Sequence, residues 1–388
     1  MKRRALAAGT AALLMLAAVC CAAVAQAAPE LLDFSPEERA RIVSHGPWPP
    51  VAPPDGANRV EGQPAAVAWG RELFFDTRLS ASGQLSCASC HVPARAFQDG
   101  LTTARVGPGA EPGRRNTPSL LDSAQHRWFG WDGANDSLWA ASLAPLLARD
   151  EMGQSAPALA ARVRGDVQSV ARYRRAFGHL LPADDEQLVV DMAKALAAFQ
   201  ATLTSPRTPF DTFRDALARG DLRAAASYPI AAQRGLRIFV GHGRCSVCHA
   251  GPNFTNGEFA DIGVPFFVRG GVDPGRHGGL QQLQASRMNR LGAHNDASPQ
   301  DPRAVTTRHV IIEPRHFGEF RVPGLRQLTH TAPYMHNGSL ATIEDVVQHY
   351  SALNEERLHA DGERILRPLN LAPEQANDLA AFLRSLSQ

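Results

Sequence analysis

Two five-residue stretches decide the reading of this chain: Cys87-Ala88-Ser89-Cys90-His91 and Cys245-Ser246-Val247-Cys248-His249. Both are C-x-x-C-H, the attachment pattern for c-type haem. Each thiol can add across one haem vinyl group, and the adjacent histidine then offers its imidazole to the iron, so one short turn fixes both cofactor and ligand. A redox-active C-x-x-C pair, or a zinc site built from two Cys-Cys-His sets, are the competing uses of such spacing. Neither accounts for a histidine at the end of both copies.

Working outward, the two copies share their surroundings. Gly70-Arg71-Glu72-Leu73-Phe74 precedes the first and Gly235-Leu236-Arg237-Ile238-Phe239 the second, while Phe97-Gln98-Asp99-Gly100 and Phe254-Thr255-Asn256-Gly257 follow them. The pattern predicts a duplicated unit. Leu188, Met192, Ala195, Leu196, Phe199 and Leu203 form an apolar stripe at helical spacing, as do Leu379, Phe382, Leu383 and Leu386. Helix starts are marked at Ser35-Pro36-Glu37-Glu38, at Ser155 and at Thr342. Strand alternation is nearly absent. The expected fold is therefore mainly α, with two cytochrome c-like domains, each carrying one covalent haem c, joined by an interface and wrapped in long loops. The polar stretch from Thr204 to Tyr228, with Pro206, Pro209 and Gly220, marks the junction, giving units at 28–215 and 216–388. Residues 270–320 are Gly-rich, polar and without period, the pattern of a functional cover.

Composition narrows the class. The 388 residues are 44% hydrophobic, enough for real cores, and 40 basic residues are balanced by 38 acidic ones. That balance creates no field suited to nucleic acid or an anionic membrane. Residues 1–27 read as a secretory leader: Lys2, Arg3 and Arg4, an apolar run from Ala11 to Val24, then Ala25 and Ala27 at signal-peptidase spacing. Its removal takes the formal charge from +2 to −1, leaves no expected membrane span, and discards Cys20 and Cys21. Four cysteines remain, all inside the two motifs, which argues for export to the periplasm without a disulfide framework.

Further stretches resemble the bacterial di-haem cytochrome c peroxidase and MauG family. They are Gly70 to Asp76 with Arg78-Leu79-Ser80; Arg115-Asn116-Thr117-Pro118-Ser119-Leu120; Trp131-Asp132-Gly133; Glu151-Met152-Gly153; Phe210-Asp211; and Val322-Pro323-Gly324-Leu325-Arg326 running on to Thr331-Ala332-Pro333-Tyr334-Met335-His336-Asn337-Gly338. The resemblance implies an oxidoreductase with hydrogen peroxide as acceptor, a peroxidatic N-terminal haem on His91 and an electron-transfer haem on His249. It implies that Glu151 moves a proton between the peroxide oxygens, that Trp131 relays electrons, and that Pro145 lines the pocket. It further implies a calcium ion at the domain interface, held by Asn116 with the carbonyls of Thr331 and Pro333, oxygen donors of the kind calcium takes.

Two departures bear on the subtype. Residues 92–115 contain no His or Met that could close the first iron, so the expected site is open to peroxide without prior reduction. Fourteen residues beyond His336, where a methionine ligand is typical, stands Tyr350, as in MauG; His349, Met288 and Met335 are the other candidates for that iron. Phenolate favours oxidised iron, whereas thioether raises the potential. Ala141 replaces a usual pocket glutamine and Gln327 a usual asparagine. The expected function is a periplasmic peroxidase drawing electrons from a small cytochrome c or cupredoxin. The alternatives are a MauG-like oxidase acting on side chains of a protein substrate and a non-enzymatic di-haem electron carrier. A homodimer is compatible with each.

Overall fold

The computed structural model describes residues 30–51, 55–107, 113–265, 267–268, 271–355, 362 and 365–388. The leader expected at 1–27 lies outside them. The described chain is mostly helical, and its strands are two antiparallel pairs of two residues each, Phe259–Ala260 with Phe320–Arg321 and Phe267–Val268 with Gly271–Val272. Among the described residues no helix is long and apolar enough to cross a membrane.

The duplication expected from the flanking sequences is structural. Helix Pro64–Phe75 crosses helix Asp185–Gln200, and helix Ile230–Val240 crosses helix Pro373–Arg384. At the first crossing a Cβ on Gly70 would stand 1.9 Å from the carbonyl oxygen of Ala195; at the second, a Cβ on Gly235 would stand 1.9 Å from that of Asp378. Only glycine lets the backbones approach so closely, which is why both copies carry it at the helix crossing, four residues before a phenylalanine (Phe74, Phe239). Helix Asp185–Gln200 is buried from Leu188 to Gln200 on every face, the mark of a helix enclosed by others. Around it Trp69, Phe74, Trp139, Leu143, Leu159 and Tyr173 complete the first core.

The second core draws on residues far from it in sequence. Phe34 and Ile42, from the segment around helix Pro36–Val43, and Phe210 and Phe213, from helix Pro209–Arg219, pack with Leu236, Phe239, Phe254, Val347, Leu379 and Phe382. The expected junction at 215 thus falls inside a helix, and both segments read into the first unit lie in the second core. The punctuation between Thr204 and Tyr228 has a local cause: Pro209 opens the helix, Thr208 and Asp211 form its capping box, and Gly220 closes it with a φ of 73°.

Residues 270–320 likewise contain more than a loop. Helices Arg276–Ala285 and Pro302–His309 form there, the first seating Leu280 and Leu283 against Trp128. The segment then reaches across to the first unit. Arg290 donates to Asp55 at 2.6 Å and to the carbonyl of Asp136, and Lys194 reaches Asp296 at 2.7 Å. Its order comes from these polar contacts rather than an apolar stripe, so hydrophobic periodicity could not reveal it.

Candidate active site: two attachment turns and the ground between them

Each C-x-x-C-H begins as a single helical turn, Cys87–Cys90 or Cys245–Cys248, with the histidine at its C-cap. The amide of His91 donates to the carbonyl of Cys87 at 2.8 Å, and that of His249 to Cys245 at 2.9 Å. The ring is then aimed the same way twice: Nδ1 of His91 meets the carbonyl of Phe97 at 3.0 Å, and Nδ1 of His249 meets that of Phe254 at 3.0 Å. Phe97 and Phe254 hold those carbonyls with φ values of 58° and 53°, in the left-handed region. Burial lowers both histidine pKa values, so the rings are neutral. With Nδ1–H given to a carbonyl, the Nε2 lone pair is left for a metal.

The thiols suit thioether formation. None of the four pairs as a disulfide. Burial pushes Cys87 and Cys245 up to about 12 and Cys90 up to about 11, so they are protonated thiols. A cavity beside the second turn is walled by Phe239, Val346, Val347, Tyr350, Leu379 and Leu383, an apolar lining fit for a macrocycle. Thiol pair, oriented neutral imidazole and apolar wall together match what haem c requires.

At the first turn, the chain around Glu151 is folded back on itself. Helix Leu138–Leu147 ends at Ala148, and the amide of Met152 returns to the carbonyl of Pro145 at 3.1 Å. The amide of Glu151 donates to Ala148, and the carbonyls of Asp150 and Met152 accept from Gly107 and Ala81. These four bonds fix the turn. Glu151 is exposed, yet the protein around its carboxyl desolvates it and raises its pKa, with the neighbouring Asp150 charge adding to the rise. The Glu151 charge is felt at both Cys87 and Cys90 of the first attachment turn, adding to the rise in their pKa values. Pro145 is half-buried, and Ala141 packs against the first core.

The cavity at the second turn continues past His249 and Tyr350 to Trp131, His126, Asn116, Arg321, Thr331, Pro333 and His336. The indole Nε1 of Trp131 donates to the carbonyl of Asn116 at 2.8 Å. Tyr350 lies near Cys245 and Cys248; burial raises its phenol pKa, and the two sulfurs add to the shift. Of the other candidates for the second iron, His349 turns its Nε2 to the carbonyl of Ile262 at 2.9 Å, Met288 packs on the first core, and Met335 lines the cavity. The residues expected around calcium share that cavity wall. Among the described residues no group of three or more His, Cys, Asp or Glu gathers as a metal site.

Arg115, Asp132 and His336, all inside stretches that carry the resemblance, complete this ground. Arg115 bridges Asp132 at 2.6 Å and Asp273 at 2.7 Å, tying the two units together. His336 stacks on Phe320 with centroids 3.5 Å apart, and burial pushes its pKa down to about 4. Arg321 and His126 lie outside every motif, and a lone basic residue has no spacing signal.

Comparison with known proteins agrees with this geometry. The model of the di-haem cytochrome c peroxidase family matches residues 64–219. The methylamine utilization protein MauG of Methylorubrum extorquens is 35% identical over 360 residues, covering 93% of this chain and 88% of that protein. The cytochrome-c peroxidase IdrP1 of Denitromonas iodatirespirans is 33% identical, covering 90% and 87%. A solved MauG-like protein associated with microbial copper homeostasis superposes with a TM-score of 0.64 at 27% identity, over 88% of this chain and 96% of that one. With relatives of this identity spanning nearly its whole length, the chain belongs to the di-haem cytochrome c peroxidase family, which takes in both peroxidases and MauG.

Proposed function

We propose that the chain is an exported, periplasmic oxidoreductase that reduces hydrogen peroxide at the His91 site, with electrons drawn through the His249 site from a small cytochrome c or cupredoxin. The overall balance is hydrogen peroxide plus two electrons and two protons to two waters. Haem c bound at the two turns supplies redox-active iron. The protein's own part is acid–base and positional. Glu151 takes the proton from the oxygen nearer the His91 site and returns it to the departing one. Its raised pKa brings the carboxyl closer to the range where it can do both. Trp131, bonded to the Asn116 carbonyl and the Arg321 amide, is the relay. Asn116, Thr331 and Pro333 supply neutral oxygens for one calcium ion at the interface.

The observation that carries this reading is the turn holding Glu151, fixed by four backbone bonds of which one is its own, with the Glu151 charge felt at Cys87 and Cys90. The test adds peroxide and a reduced small cytochrome to the mature oxidised protein. Two donor equivalents oxidised per peroxide, with Glu151→Gln slowing the reaction, is the expected result; no donor oxidation overturns it.

One observation favours a second reading, oxidation of side chains on a partner protein. Tyr350, not a methionine, faces the second attachment turn. If it ligates the second iron, Tyr350→Phe changes that haem's spectrum, and peroxide oxidises both sites before any donor reacts. An unchanged spectrum disposes of this reading.

A further inference from the structure

Arg321 is 6% exposed, yet among the described residues no carboxylate pairs with it. Its Nε donates to the carbonyl of Gly130 at 3.2 Å, and its guanidinium stands 3.5 Å from Nε2 of His126. Burial alone acts on its pKa, lowering it to about 10 with nothing to offset it. Other buried guanidiniums here are compensated: Arg326 by Asp211 at 2.8 Å, Arg290 by Asp55 at 2.6 Å, Arg214 by Asp215 at 2.8 Å. Arg276, also without a bridging acid, is sandwiched by the rings of Trp128 and Phe259 and lies in the field of three carboxylates. Arg321 has none of this. A buried charge without a counter-ion is strongly disfavoured, so an anion belongs beside it.

His126 cannot be that counter-charge. Burial and the Arg321 charge hold its pKa well below the usual value, so it is neutral and meets the guanidinium with Nε2 as acceptor. What the surroundings show is a cavity. Arg321 borders the space that also holds His249 and Tyr350. It sits two residues before Pro323, whose backbone flanks the His249 ring.

We propose that Arg321 is the counter-ion of a propionate of the haem attached at Cys245 and Cys248, steadied by neutral His126. The pairing is a charge-assisted hydrogen bond, and guanidinium geometry suits it. Because the amide of Arg321 also donates to the carbonyl of Trp131 at 2.8 Å, the same residue ties that propionate to the relay. Arg321 acts through the cofactor's charge, so it is a positioning residue. A fixed positive charge near the iron disfavours the oxidised state, and its removal lowers the midpoint potential of that site.

The inference rests on haem being seated at His249, not on whether the enzyme is a peroxidase or a side-chain oxidase. Mass measurement of two covalent haems checks the seating independently. The experiment is a spectroscopic redox titration of the di-haem protein beside Arg321→Gln and Arg321→Lys, with resonance Raman of the propionate-bending bands. Arg321→Gln is expected to shift the second site's reduction equilibrium about tenfold towards the oxidised form, which is 59 mV for one electron, and to leave the first site in place. Arg321→Lys keeps most of the potential but still moves the propionate band, because the planar fork is lost. If Arg321→Gln does not mature with two haems, the band in Arg321→Lys decides. Unmoved midpoints in Arg321→Gln, or an unmoved band in Arg321→Lys, overturn the assignment.

Discussion

Trp131 gives its indole N–H to the carbonyl of Asn116 at 2.8 Å, while its own carbonyl accepts from the amide of Arg321 at 2.8 Å. The residue is thus braced by the first unit through its side chain and by the second through its backbone. Trp131→Phe keeps an aromatic ring but removes the N–H, leaving the Asn116 carbonyl without its donor at a cost of about 1–3 kcal/mol. The expected outcome is a modest fall in thermal stability together with slower donor oxidation, read by stopped flow. Peroxide consumption by the fully reduced protein should change less than transfer from the donor. Equal loss in both would mean that Trp131 serves packing alone.

Gly70 and Gly235 make a matched pair of predictions. A Cβ at either position would stand 1.9 Å from a carbonyl oxygen on the crossing helix, so one helix must move. Gly70→Ala and Gly235→Ala are each expected to cost about 1–3 kcal/mol as overpacking, and more if the crossing cannot shift. Gly165 is the control, since a Cβ there meets nothing within 4 Å. Gly165→Ala should hold or gain about 0.4–1 kcal/mol by restricting the unfolded chain. Thermal unfolding of the three variants ranks them.

What the sequence made legible follows from what kind of contact each feature uses. The attachment turns and the paired Gly helices are local patterns repeated twice, so spacing alone exposed them, and the mainly helical two-unit fold came with them. Glu151 and Trp131 were reachable only through resemblance, because a lone Glu or Trp has no periodic context. Helix Pro209–Arg219 was misread because its caps, Thr208, Asp211 and Gly220, use the same residue types as a linker. Segment 270–320 was read as an aperiodic loop because its order depends on partners more than a hundred residues away, such as Lys194 for Asp296 and Asp55 for Arg290. Arg321 has no spacing signal, and among the described residues no carboxylate pairs with it.

Lys194 is fully buried in the first unit, and its ammonium is met by Asp296 at 2.7 Å, the carbonyl of His294 and the face of Trp139. Asp296→Asn removes the charge that balances it. Breaking a buried pair from one side costs about 3–5 kcal/mol, so this single change should loosen the clasp of the second unit on the first. The pH dependence has a definite sign. Burial pushes the Asp296 pKa up, but the bonds from Lys194 and from the Arg59 amide outweigh it, and the net shift is downward. A carboxyl with a depressed folded pKa adds stability above its unfolded value, near 3.8, and loses it as pH falls through the folded value. Acid should therefore destabilise the native chain more than Asp296→Asn, with the two unfolding curves converging below about pH 4.

The proton shuttle assigned to Glu151 gives the sharpest kinetic expectation. As a base it must begin ionised, so the rate of reaction with peroxide should rise with pH through the carboxyl's folded pKa and level off above it. Burial, then the charge of Asp150, raises that pKa above the ordinary 4.5. Asp150→Asn removes the second cause, so the midpoint of the pH profile should move down while the plateau is kept. Glu151→Gln removes the titrating group, and the plateau should drop by about 10²–10⁴, the usual contribution of a general acid–base residue. The haem spectra should be unaltered in both, since neither residue touches the attachment turn's own bonds. A profile that keeps its midpoint in Asp150→Asn, or a Glu151→Gln plateau within a few-fold of the parent, would assign the proton to another group.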